Sequence, residues 1–194
     1  MATRRGAPRQ RVRPGVRRLL DAMTGSPVIL QNGHLDILAT NPLGRALYAD
    51  MFTARTPVPN HARYVFLERR SQAFYADWKR AAADTVAILR AEAGRAPDNR
   101  ALSGLVGELS TRSTTFSALW AAPEARRHTT GTKTFHHPVV GELTLTFEAL
   151  DLTADPGLRL LAYTAEPGSP SRDALRLLAS WTATGTAAAD RRAG

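Results

Sequence analysis

The chain has 194 residues, 43% of them hydrophobic, with a formal charge of +9 and no cysteine. That length and apolar share suffice for one domain with a buried core, and the missing cysteine removes thiolate nucleophiles, disulfides and thiolate-bound zinc or iron–sulfur clusters. The sequence has no apolar run of about 18 residues, and its Arg-rich start lacks the apolar segment of a secretory signal, so a cytoplasmic protein without a membrane partner is expected.

The charge is unevenly placed. Arg4, Arg5, Arg9, Arg11, Arg13, Arg17 and Arg18 all precede the first acidic residue, Asp21, and the other 19 basic residues nearly balance 17 acidic ones. The body is therefore close to neutral and the high pI belongs to a tail. Such a tail suits DNA phosphates through the planar donor fork of Arg; it equally serves as an exposed linker kept soluble by charge.

Residues 1–10 carry Gly and Pro without apolar spacing and are expected to be disordered. Pro14 suits the first turn of a helix with Val16, Leu19, Leu20 and Met23 on one face and Gly25 at its end. Residues 27–31 and 34–40 are short apolar runs around Asn32-Gly33, the signal for a hairpin with a type I′ turn. Asn41-Pro42 then caps a helix, residues 57–60 interrupt, and Asn60 caps the next one. Residues 71–93 read as one long helix carrying Phe74, Trp78, Ala82, Thr85, Val86 and Leu89, ended by Gly94 and Pro97. Asp98 or Asn99 starts a helix through Leu102, Leu105, Val106 and Leu109, and Ser113 introduces a short one over 116–120.

Alternation returns in residues 132–137, 141–150 and 157–165, with Leu143, Leu145, Phe147 and Ala149 on one face and Asp155-Pro156-Gly157 as a turn. Ala174, Leu177, Leu178 and Trp181 follow helical spacing, which predicts a closing helix packed on the domain. The order is a hairpin, several helices, a three-stranded meander and a helix: an α+β domain over residues 14–183. Residues 1–13 are expected to be an Arg-rich disordered tail or interdomain linker, and residues 184–194 a flexible tail.

Several strings recur in one order: Asn60-His-Ala-Arg63, Asp77-Trp78, Leu105-Val-Gly-Glu-Leu-Ser110, Gly131-Thr-Lys133, His137-Pro138 and Tyr163-Thr-Ala-Glu-Pro-Gly-Ser-Pro170. Together they make the chain, from about Arg11 to Trp181, resemble the ligand-binding domain of MmyB-like transcription regulators. These are bacterial helix-turn-helix proteins of the XRE type whose second domain has a PAS-like fold. The resemblance implies a PAS-like five-stranded antiparallel sheet with covering helices. It also implies an apolar, fatty-acid-like effector between sheet and helices, whose occupancy biases a DNA-binding domain. Ten residues precede Arg11, so the helix-turn-helix is expected to be missing here, leaving only weak DNA binding through the Arg-rich tail. A homodimer is expected.

A carboxylate head group needs donors. Asn60 and Arg63 stand one helical turn apart and converge on one anion, unless Asn60 caps its helix and Arg63 pairs with Glu68 or Asp77. Lys133, Phe135 and His137 share one face of a strand, and either face is able to line the pocket. Arg126 and Arg127 reach a head group or stay solvated. Trp78 forms a pocket wall or plain core, and the same choice stands for Tyr48, Phe52, Tyr64 and Phe66. The ligand-binding candidates are thus Asn60, Arg63, Trp78, Arg126 and His137.

An enzyme is not expected. The sequence contains no G-x-S-x-G, G-x-x-x-x-G-K-[ST] or G-x-G-x-x-G string, and no cofactor is implied. His128, His136 and His137 invite a metal site, but adjacent strand residues point to opposite faces and an acidic third ligand is missing at suitable spacing. The rival to a sensor is a stand-alone interaction module that dimerises with a regulator or binds nucleic acid non-specifically through the Arg-rich tail.

Overall fold

The structure, a computed structural model, describes residues 11–52, 58–122 and 130–193, with side chains through Thr182. Arg126, Arg127 and His128 lie outside the described residues, as does most of the tail. Pro14 occupies the first turn of α1 (Pro14–Ala22), where its missing N–H removes no hydrogen bond. Strands β1 (Val28–Asn32) and β2 (Ile37–Thr40) follow. Asn41 then ties three elements together. Its side-chain oxygen accepts from Gly44 N at 2.7 Å, capping α2 (Pro42–Leu47), and from Val28 N at 3.0 Å, while its amide donates to the Met23 and Ser26 carbonyls.

A 3₁₀ turn (Ala49–Phe52) precedes α3 (His61–Leu67), capped by Asn60. The helical layer continues with α4 (Arg70–Phe74), α5 (Trp78–Arg95), α6 (Arg100–Arg112) and α7 (Thr114–Ala121). Asp77, Asn99 and Ser113 supply the N-caps of the last three through their side chains. Strands β3 (Thr130–His137), β4 (Gly141–Asp151) and β5 (Leu158–Thr164) form the meander, and α8 (Pro170–Ala193) closes the order.

All strand pairs are antiparallel, in the order β2-β1-β5-β4-β3, so the hairpin and the meander join through β1 and β5. Strand alternation divides the core in two. On the helical side Ile29, Phe135, Leu143, Leu145, Leu161 and Tyr163 pack against Tyr48, Phe74 and Tyr75. On the other side Val28, Leu30, Leu158 and Leu160 lie beneath Val16 and Leu20 of α1. The α+β class and five-stranded antiparallel sheet are as the sequence predicts. The covering helices lie on both faces, because the apolar alternate residues of β1 and β5 bury under α1. Arg13 fixes that helix by a bidentate pair with Asp155 in the β4–β5 turn.

Three local expectations are also corrected. The hairpin does not turn on Asn32-Gly33. Leu35 N donates to Asn32 O, Asn32 N to Asp36 O, and the positive φ falls on Leu35 at 66°. Burial of the Leu35 side chain among Ala62, Val86 and Leu89 offsets that unfavourable backbone. A Cβ at Gly33 would meet the Glu92 carboxylate, the far end of a flexible side chain that would have to shift. Second, the long helix is broken between α4 and α5. Tyr75 takes an extended conformation and bridges Phe135, and Ala76 N donates to Thr134 O at 3.0 Å. Third, the buried face of α8 runs through Ser171, Leu175 and Leu178, at i, i+4 and i+7. Leu177 and Trp181 point away from it and are 65% and 64% exposed.

Candidate ligand-binding cavity

Helix α5 packs on α3, α4, α6 and α7, and between it and the sheet lies a cavity. Its narrow centre, about 30 Å³, is lined by Gln31, His61, Thr85, Lys133, Phe147 and Leu161 among others. One outer cleft of about 270 Å³ shares Gln31, Leu35, Ile88 and Arg159 with that centre. A second, of about 260 Å³, shares Asp84 and Lys133. Together they make a trough running under α5 from the β1–β2 turn to the β3 edge.

Every strand that lines the trough does so by alternation. Gln31 stands opposite Arg159 in the β1–β5 register, and Leu161 opposite Ala149 in β5–β4. Gly131 stands opposite Phe147, and a side chain at 131 would press on the Phe147 ring at 3.3 Å. Two residues on, Lys133 extends its ammonium over the same ring, 4.7 Å from its centre. This accounts physically for the Gly131-Thr-Lys133 string: the glycine makes room for the ring and the lysine uses its face.

The charges in the trough are constrained by burial. Burial pushes the Lys133 ammonium below its ordinary pKa; Asp84 partly opposes this and Arg80 adds to it. Among the described residues Asp84 exerts that influence without an ion pair to Lys133. His61 is buried with its Nε2 2.9 Å from the Tyr75 hydroxyl, and burial together with Lys133 lowers its pKa to about 3. The imidazole is therefore neutral at any ordinary pH. Behind it the Tyr48 and Tyr163 hydroxyls bond each other at 2.5 Å, and burial raises the pKa of both, so they remain protonated. Gln31 is 3% exposed, and among the described residues its Oε1 has no hydrogen-bond partner.

The residues singled out from the sequence are placed elsewhere, and they are not brought together. Asn60 caps α3 through Arg63 N and donates its amide to His34 O and Asp36 Oδ1. Burial works to raise the Asp36 pKa, but hydrogen bonds from His34, Asn60 and Asn32 outweigh it and hold the carboxyl below its usual range. Arg63 turns to Glu108 on α6 at 2.8 Å, and Glu108 also takes Arg112. The expected partners Glu68 and Asp77 are replaced by one 45 positions away, so the Asn60–Arg63 and Leu105–Ser110 strings meet through an ion pair, not at an anion site. Trp78 donates its indole N–H to Val65 O and packs on Phe66. His137 accepts from Val139 N and Val140 N at Nδ1, which leaves Nε2 to donate to Ala46 O at 3.1 Å and brace the β3–β4 turn on α2. Its neighbour His136 faces outward beside Glu142. Arg126 is outside the described residues.

Gln31, His61, Asp84 and Arg159 were not anticipated. The signal for Gln31 was present, since it shares the inward parity of Ile29 in a run whose other members are apolar.

A sheet of this order, with helices over both faces and a trough under α5, is a PAS-like α+β fold with a candidate ligand cavity. Residues 12–178 match the family described as MmyB-like transcription regulator ligand binding domain, and the chain belongs to that family. No curated protein matches the chain. Among the described residues no helix is long and apolar enough to cross a membrane.

Proposed function

We propose that this ligand-binding domain senses an apolar carboxylic acid of the fatty-acid kind, held under α5 with its carboxylate on Lys133. The observation that carries the reading is Lys133 itself, a cation drawn over Phe147 inside the trough, where among the described residues it makes no ion pair. A buried ammonium depressed by desolvation regains its favourable charged state when an anion arrives. The acyl chain lies along Phe147, Ala149, Leu161 and Ile88, each buried CH₂ contributing roughly 0.8 kcal/mol.

The narrow centre holds about one or two waters, so the acyl chain occupies the flanking clefts as well and α5 rides outward to admit it. This displacement is the signal a cytoplasmic regulator passes to a DNA-binding partner domain. Decanoic acid is expected to raise the melting temperature of the wild type by binding the folded state, and more than decanol does. In Lys133→Met the preference for acid over alcohol disappears while decanol binding remains. Equal loss of both ligands in that variant, with its fold intact, refutes the anchor.

A further inference from the structure

We infer that the effector is a bipolar molecule, an acyl acid that carries a hydroxyl at the end remote from its carboxylate, and that Gln31 selects for it. The inference rests on the reading of the trough as the effector site, and its own support is separate from Lys133. Gln31 is almost wholly buried and lines both the centre of the trough and the outer cleft, and among the described residues its carbonyl oxygen, shut off from solvent, has no hydrogen-bond partner. A buried acceptor left unpaired is costly, and a plain alkyl chain bound against this side chain supplies no donor. A hydroxyl supplies that donor, and because it also accepts, it satisfies the amide in either orientation.

Placement fixes where the hydroxyl must be. Lys133 is on β3 and Gln31 on β1, with β4 and β5 between them, so their strand axes are about 14 Å apart at the usual strand spacing. The wall between is Phe147, Ala149 and Leu161. The trough therefore presents Lys133 at one end, an apolar middle, and at the other end the Gln31 acceptor beside Arg159, whose guanidinium is engaged by Asp151. A terminally hydroxylated medium-chain acid matches all three.

The test compares decanoic acid with ω-hydroxydecanoic acid by calorimetry on the full chain. The wild type is expected to bind the hydroxy acid about tenfold more tightly. Gln31→Leu is expected to bind the plain acid at least as tightly as wild type and to lose about tenfold for the hydroxy acid, and Gln31→Met to behave the same way. Folding of both variants is checked by circular dichroism. If both acids bind the wild type equally, or the preference survives in both variants, the partner of Gln31 is a water and the inference fails while the fatty-acid reading stands. If neither acid binds the wild type, both fall.

Discussion

Lowering the pH tests the electrostatics of the trough without any ligand. His61 has a pKa of about 3 in the folded protein against 6.5 unfolded. Between those values the unfolded chain binds a proton that the folded one refuses, so stability falls as pH falls, beginning near 6.5 and levelling off near 3. Each pH unit in that window costs about 1.4 kcal/mol, so at pH 4.5 the loss is roughly 2.7 kcal/mol relative to neutral pH. Asp36 and Glu108, held below their ordinary values, also lose stability in acid. They are common to wild type and variant, so the comparison with His61→Gln isolates the imidazole. Gln retains an acceptor for the Tyr75 hydroxyl and does not titrate. Urea unfolding followed by tryptophan fluorescence at pH 7.5 and pH 4.5 should show the stability gap between the two proteins shifting by about 2–3 kcal/mol in favour of His61→Gln as the pH drops. A gap that shifts by less than about 0.5 kcal/mol would show that His61 reaches water and that the trough is not closed around it.

Three further outcomes follow from particular contacts. Leu178→Ala should cost about 2–5 kcal/mol in chemical unfolding, whereas Trp181→Ala, on an exposed part of α8, should stay within about 0.5 kcal/mol. Asn41→Ala strands the buried Val28 and Gly44 donors and should cost about 3 kcal/mol or more by the same assay; a loss under about 1 kcal/mol contradicts its tethering role. Arg63→Ala removes the ion pair to Glu108 but leaves the ratio of decanoic acid to decanol affinity unchanged by calorimetry; a selective loss of the acid would return Arg63 to the head group.

What was legible in the sequence was mostly local. The caps at Asn41, Asn60, Asn99 and Ser113 act within three residues of themselves, so composition at one position suffices to find them. The inward face of β4 is likewise set by its own alternation. The misreadings share a different cause. The break before Trp78 is made by Tyr75 meeting Phe135, a contact between distant parts of the chain, although Asp77 as an N-cap was the local sign of it. Arg63 finds Glu108 across the helical layer, which spacing along one helix cannot announce. Leu177 and Trp181 satisfy a helical period but lie off the face that α8 turns to the sheet, a choice fixed by Leu175 and Leu178. Lys133 was assigned the correct face companions, Phe135 and His137; the direction of that face required the sheet.

The central claim is that ligand sits between α5 and the sheet. Intermolecular nuclear Overhauser contacts from decanoic acid methylenes to methyl-labelled protein test it most directly. The account predicts contacts to Leu35, Ile88 and Leu161, which line the trough. Contacts confined to Leu177 and the Trp181 ring protons, on the exposed side of α8, would contradict it.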